Sequence, residues 1–230
     1  MPHPPRPRCR VRATALGGAL VLLASTPARA DVARDDTDAR YAEILAGFEA
    51  NQGAEALWWN GWTLFYGLAA TAQGTVALAA TDPGLRVDAS VGATKATLAI
   101  GGMLLFTPRT AIRATSVLRG MDGSSAFART RRLAVAEKLL ERAAEDAAFG
   151  TSWVAHLSVA LVNLGGAYVQ WVGYRRTAEG WLGLAVGLAA GEAAILSRPT
   201  GSGRLWRGYS RVHGWTIAPT AEGVVVIKTF

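Results

Sequence analysis

The chain has 230 residues, of which half are hydrophobic and only 18% are charged. This composition argues against a disordered linker, an acidic tail or a coiled coil. Five of the 24 basic residues lie within residues 1–30, which contain no acid, so the remainder carries 19 basic against 17 acidic residues. Because that remainder is nearly balanced and is predicted to be exported, we expect no nucleic-acid partner.

Residues 1–30 have the three parts of a secretory signal. A basic stretch ends at Arg12, an apolar run covers residues 13–24, and the small residues Ala28 and Ala30 mark a cleavage site. We therefore predict a cleavable signal peptide over residues 1–30, with an uncleaved anchor as the alternative. Cys9, the single cysteine of the sequence, lies in this leader, so the rest of the chain has no thiol for a disulfide, a metal or a nucleophile.

The first part of the mature chain predicts an amphipathic helix followed by an apolar hairpin. Tyr41, Ile44 and Phe48 share one helical face. They lead into residues 56–81, a run of 26 residues without a formal charge that is long enough to cross a bilayer as a helix. A second apolar stretch over residues 89–106 completes the first hairpin.

The second part repeats this order. An amphipathic helix is predicted to begin at Ser124 or Ser125 and to end at Gly150, and we interpret it as a solvated linking helix. Apolar runs over residues 147–174 and 180–197 then predict a second hairpin. In both hairpins the second apolar helix stops just before a proline, which suggests a weak internal duplication.

The predicted fold class is all-α. Two apolar helical hairpins, with about four membrane-length helices, are joined by an amphipathic helix and followed by a small C-terminal β-hairpin. The domains are a signal peptide over 1–30, a helical membrane domain over 31–199, and a polar linker with a short β-hairpin tail over 200–230. The tail prediction follows from a polar, Gly-rich segment before two runs of β-branched residues.

A membrane location is favoured by the aromatic residues at the ends of the apolar stretches, which are Trp58, Trp59, Trp62, Trp153, Trp171 and Trp181. Lys95 and Glu192, within apolar stretches, oppose it because a charge is costly in hydrocarbon. Export of the leader would also place residues 107–150 and their eight basic residues outside, against the positive-inside rule. The alternative is a soluble bundle in the periplasm or another extracytoplasmic space.

The most pointed group of polar residues lies in the second hairpin. His156, Asn163 and Gln170 recur every seven residues and share one face of the third apolar helix. An antiparallel fourth helix would bring Glu192 level with the interval between His156 and Asn163. These four residues are the candidate polar cluster, and Lys95 is an alternative neighbour of Glu192.

On the facing helix, Gly183, Gly187 and Gly191 recur every four residues. This small-residue pattern lets two helix backbones approach closely, so these glycines are the candidate helix-packing residues.

No phosphate-binding loop and no H-E-x-x-H or G-x-S-x-G motif occurs in the sequence, and we predict no catalytic residue, metal or cofactor. The predicted function is that of an exported integral membrane protein, acting as a non-enzymatic interaction or envelope-assembly component of the cell membrane. Its expected partners are membrane lipid and another membrane or envelope protein. The alternatives are a small transporter or proton-coupled subunit using His156 and Glu192, an intramembrane enzyme, and the soluble bundle.

Overall fold

The computed structural model describes residues 27–106, 109–213, 215–220 and 223–228, with side chains over 36–105 and 109–213. The chain is all-α, as the sequence predicts. Its helices are α1 (Pro27–Ala79), α2 (Pro83–Phe106), α3 (Thr110–Arg119), α4 (Ala126–Gly150), α5 (Trp153–Tyr168), a π-helical turn (Val169–Gly173), α6 (Thr177–Leu196) and α7 (Gly201–His213).

A helical layer of four segments contains the core of large apolar side chains. The segments are residues 36–55 of α1 together with α3, α4 and α7, which pack on one another. The predicted apolar face of Tyr41, Ile44 and Phe48 is confirmed, since all three are buried here. The other buried residues of this core are Ala114, Leu118, Leu133, Ala136, Leu140, Ala143 and Tyr209.

Two predictions about this layer are wrong. The amphipathic helix α4 is not a solvated linker, because its apolar face packs against α1, α3 and α7. Its start is as expected, since Ser125 Oγ accepts a hydrogen bond from the Ala128 N–H. The segment predicted as a polar linker forms α7 over residues 201–213, with Tyr209 placed in the core. The glycines of this segment disfavour a helix, but Leu205 and Tyr209 lie four residues apart, which is the spacing of one helical face.

Two helical hairpins extend from the layer. The first is residues 56–79 of α1 with α2, and the second is α5 and the π-helical turn with α6. After each hairpin the chain passes a proline, Pro108 or Pro199, and enters a short helix of the layer. Both halves therefore follow the order of long helical arm, apolar helix and short helix, and the internal duplication stays a prediction.

Two helical stretches of the described chain are long and apolar enough to cross a membrane, Pro83–Arg119 and Thr177–His213. A third is added if α4 and the stretch Trp153–Gly173, which meet at 44°, count as one span. The apolar part of α1 is not among them, because aromatic, threonine and amide residues lower its mean hydropathy.

At the two ends of the chain, less is described. Residues 1–26, which include most of the predicted signal peptide, lie outside the described residues, and α1 begins at Pro27, just before the expected cleavage site. Beyond α7 the backbone is extended over β1 (Trp215–Thr220) and β2 (Gly223–Lys228), with Trp215 opposite Lys228. The predicted β-hairpin tail remains a prediction.

Candidate functional site

The predicted partners His156 and Glu192 are in direct contact. Nδ1 of His156 lies 2.7 Å from Oε2 of Glu192, which joins α5 to α6 near the layer end of the second hairpin. The two side chains are 40% and 36% exposed, and neither is among the described residues that line the groove between the hairpins. The pair therefore lies on the outer surface of the second hairpin.

Asn163 of α5 and Gln170 of the following π-helical turn lie at successive levels further along the second hairpin and do not join this pair. Both side chains are buried. Asn163 Nδ2 donates to the Val159 carbonyl at 2.9 Å, while Gln170 Nε2 donates to Oδ1 of Asp88 at 3.0 Å. Seven residues of helix rise about 10 Å. The predicted single cluster is therefore a ladder of three separate polar contacts.

The glycine stripe of α6 faces this ladder. A Cβ at Gly187 would overlap Oδ1 of Asn163, and a Cβ at Gly191 would overlap Cγ1 of Val159. At Gly183 a Cβ would lie 3.3 Å from Oε1 of Gln170. Gly187 and Gly191 thus permit the close approach of α6 to α5, whereas the space at Gly183 is tight but less restrictive.

Lys95 does not bind Glu192. Its Nζ donates to the Gly183 carbonyl at 2.7 Å, and its aliphatic stem lies against Gly166. Gly183 is nine residues from Glu192 along α6, which is about 13 Å of helix. Lys95 therefore connects α2 to the second hairpin by a single hydrogen bond to the backbone.

The turns of the two hairpins are held together by an ion-pair network that the sequence analysis missed. Arg176 forms a bidentate contact with Asp88, at 2.9 and 2.6 Å, and also contacts Glu179 at 2.8 Å. With Gln170 as a fourth member, this network links α2 to both arms of the second hairpin. The available signal was that Asp88 and Arg176 flank the apolar stretches on opposite hairpins.

At the layer end, tryptophans of the first hairpin bind the end of α6. Trp58 Nε1 donates to the Ala194 carbonyl at 3.0 Å, and Trp62 Nε1 donates to Ser197 Oγ at 3.1 Å.

Nearby, burial raises the pKa of Glu55, against the opposing effect of the Arg198 guanidinium. The half-buried Glu55 carboxylate thus lies near the Arg198 guanidinium, just after the end of α6.

Between these two ends the hairpins enclose a groove of about 1,160 Å³. Its walls are largely apolar, with small residues such as Ala96 and Ala190 beside larger ones such as Phe65, and its polar and charged members include Gln73, Asp88, Lys95, Asn163, Gln170, Glu179 and Arg198. Within the described residues no group of three or more His, Cys, Asp or Glu side chains could hold a metal ion. The surface of the groove is thus mostly apolar, with a minority of polar and charged side chains.

Comparison of the chain with protein-family models, with curated proteins and with solved structures finds no match.

Proposed function

We propose that this chain is an integral membrane protein of the cell envelope that acts as a non-enzymatic interaction component. One observation carries the proposal: the hairpins expose large apolar side chains around their outer surfaces. Representative exposed fractions are 89% for Leu78, 62% for Leu68 and 60% for Leu161. An outer surface of this kind is stable in lipid, whereas a soluble monomer rarely exposes such large apolar patches.

The aromatic residues support the same proposal. Trp153 is 73% exposed at the layer end of α5, and Trp181 is 59% exposed near the opposite end of the hairpin. Trp181 packs on Trp171 with ring centroids 4.6 Å apart. Helix α6 has 20 residues, about 30 Å, which matches the hydrocarbon thickness between two interfacial belts.

In this proposal all four arms of the hairpins cross the bilayer, including residues 56–79 of α1. The layer then lies on one side, the turns lie on the other, and the β-hairpin tail follows the layer. The predicted signal peptide would place the layer on the outer face. Membrane lipid is one proposed partner, and another membrane or envelope protein that docks against the hairpins is the second.

Alkaline carbonate extraction of membranes tests integration, with two matched charge insertions. Leu161→Arg places a cation on the outer surface of α5, and Phe127→Arg places it on the layer, where Phe127 is 78% exposed. We expect wild type and Phe127→Arg to stay in the pellet and Leu161→Arg to be depleted from it, because arginine is costly in hydrocarbon. Release of wild type into the wash would identify a soluble bundle and overturn the proposal.

A second function, a proton-coupled transport subunit, is favoured by the His156 and Glu192 contact. A carboxylate and an imidazole within a membrane hairpin are suited to proton transfer. Glu192→Gln keeps size and hydrogen bonding but removes the charge. Proton flux into proteoliposomes of wild type that Glu192→Gln abolishes at unchanged thermal stability would establish this function, and equal flux with empty vesicles would dismiss it.

A further inference from the structure

Where the layer meets the first hairpin, a second cavity of about 630 Å³ has an unusual concentration of arginine. Arg109, Arg113 and Arg142 line it, together with the ring of Trp59. Arg109 and Arg113 lie one turn apart at the start of α3, and Arg142 comes from α4. The guanidinium carbon of Arg109 stacks 3.3 Å above the centre of the Trp59 ring, which fixes one of the three cations at the cavity wall.

These arginines differ from three others in the same layer, and they differ from exposed ones such as Arg131 and Arg207 in lining a cavity. Arg40, Arg119 and Arg132 each bind a carboxylate, of Glu137, Glu49 and Asp38 respectively. For the three cavity arginines, no carboxylate of the described residues lies within ion-pair distance.

The nearby acid Asp146 already accepts a hydrogen bond from Thr110, another wall residue, at 2.6 Å. Three arginines therefore line one cavity with no carboxylate within ion-pair distance, and the single nearby charge of Asp146 leaves an excess of positive charge, which favours an anion with several acceptor oxygens.

The rest of the wall is apolar. Leu104, Ala114, Val117 and Leu139 complete the lining, and Leu104 is 61% exposed near the end of α2, where the chain leaves the hairpin. On the side of the layer the cavity thus has three arginines among apolar residues of α3 and α4, and on the side of the first hairpin it has the apolar surface of Leu104 and the Trp59 ring. A free inorganic anion would use only the first of these surfaces, whereas an anionic phospholipid would use both.

We infer that this arginine cavity binds the phosphate headgroup of an anionic membrane lipid, with the start of its acyl chains along Leu104. Arg113 and Arg142 are exposed and reach the phosphate oxygens, and Arg109, held by Trp59, forms the back of the site. This inference rests on the proposed membrane integration, because only an integrated chain would hold the cavity at the level of lipid headgroups.

The test is native mass spectrometry of the detergent-purified full chain mixed with phosphatidylglycerol or with phosphatidylcholine of the same acyl chains. We expect wild type to retain phosphatidylglycerol preferentially. The double variant Arg113→Gln and Arg142→Gln should lose about 30-fold in this affinity. The matched control, Arg131→Gln and Arg207→Gln, removes the same charge from exposed positions of the layer outside the cavity and should retain wild-type binding.

Two results would overturn the headgroup site alone. Equal retention of the two lipids, or equal loss in the cavity and control variants, would show that net charge and not this cavity governs binding. Complete displacement of phosphatidylglycerol by inorganic phosphate would identify a general anion site. Carbonate extraction of the membranes from which the chain is purified separates the two proposals: a pelleted chain without lipid preference refutes only the cavity, whereas a released wild type refutes integration and the inference with it.

Discussion

The helical layer and the hairpins differ in the mixture of side chains that they bury. In the layer the fully buried residues are mostly apolar, led by Phe48, Ile44 and Leu118. In the hairpins the buried positions include Ala96, the amide residues Asn163 and Gln170, and two glycines of α6 beside Leu184, while most leucines are exposed. The first arrangement is that of a protein folded in water, and the second suits helices folded in lipid, where close packing and polar contacts hold the arms together. Helices of the same chain thus associate in two ways, through buried apolar side chains in the layer and through close packing with polar contacts in the hairpins.

The sharpest way to test this difference is to truncate a large side chain in each region. Phe48 is 1% exposed in the layer core, so Phe48→Ala should destabilise by about 3–5 kcal/mol. Leu161→Ala on the outer surface of α5 should change the free energy of unfolding by no more than about 0.5 kcal/mol. Urea unfolding of the detergent-solubilised chain, followed by circular dichroism, measures both. Equal losses would mean that the outer surface of α5 is packed in the native state.

A second comparison inserts one methyl group at two glycines of the second hairpin. Gly187→Ala forces its Cβ against the buried Asn163 and should cost about 1–3 kcal/mol. Gly165, which has no atom within 4 Å of a Cβ position, is the control. Gly165→Ala should be neutral or should gain up to about 1 kcal/mol from helix propensity. Thermal unfolding distinguishes them, and a neutral Gly187→Ala would contradict the close packing of α5 on α6.

The smallest expected effect concerns a polar contact within the layer. Tyr41 donates a buried hydrogen bond to the Leu118 carbonyl at 2.6 Å. Tyr41→Phe should cost about 1 kcal/mol, since that carbonyl also accepts from the Met121 N–H.

This contact also predicts a pH dependence. Burial raises the pKa of Tyr41 above the ordinary tyrosine value of 10.0, with Arg132 opposing. The unfolded chain therefore loses this proton first, and the stability that Tyr41 contributes declines as the pH rises past 10.0. Denaturant unfolding of wild type and Tyr41→Phe at neutral and alkaline pH measures the gap between them. A gap that widens at high pH would show that the tyrosine ionises more easily in the folded state.

Much of the helical architecture could be predicted from the sequence because helical periodicity and proline positions are local signals. The face of Tyr41, Ile44 and Phe48 and the Ser125 cap of α4 are examples. The register of α5 against α6 could also be predicted, because a short turn between antiparallel helices fixes which levels face each other. This register placed Glu192 near His156.

What the sequence did not reveal depends on contacts between distant segments. The residues of α4 look solvated by themselves, and only the packing of α1, α3 and α7 makes that helix part of a core. Arg176 and Asp88 belong to different hairpins, so their ion pair has no local pattern. The same is true of the arginine cavity, whose members come from α3 and α4 and whose missing acids become evident only when the neighbouring pairs are known.

The central claim is that two side chains exposed on the surface of the isolated chain have different surroundings: Leu161 faces lipid and Phe127 faces water. Because Cys9 is the only cysteine of the sequence, a Cys9→Ser background allows single cysteines at Leu161 and at Phe127, which are 60% and 78% exposed. Each variant is treated in native membranes, opened so that both faces are accessible, with a charged maleimide that does not enter lipid. The account predicts rapid modification of Phe127→Cys and modification of Leu161→Cys only after denaturation. Equal and rapid modification of both in native membranes would contradict it.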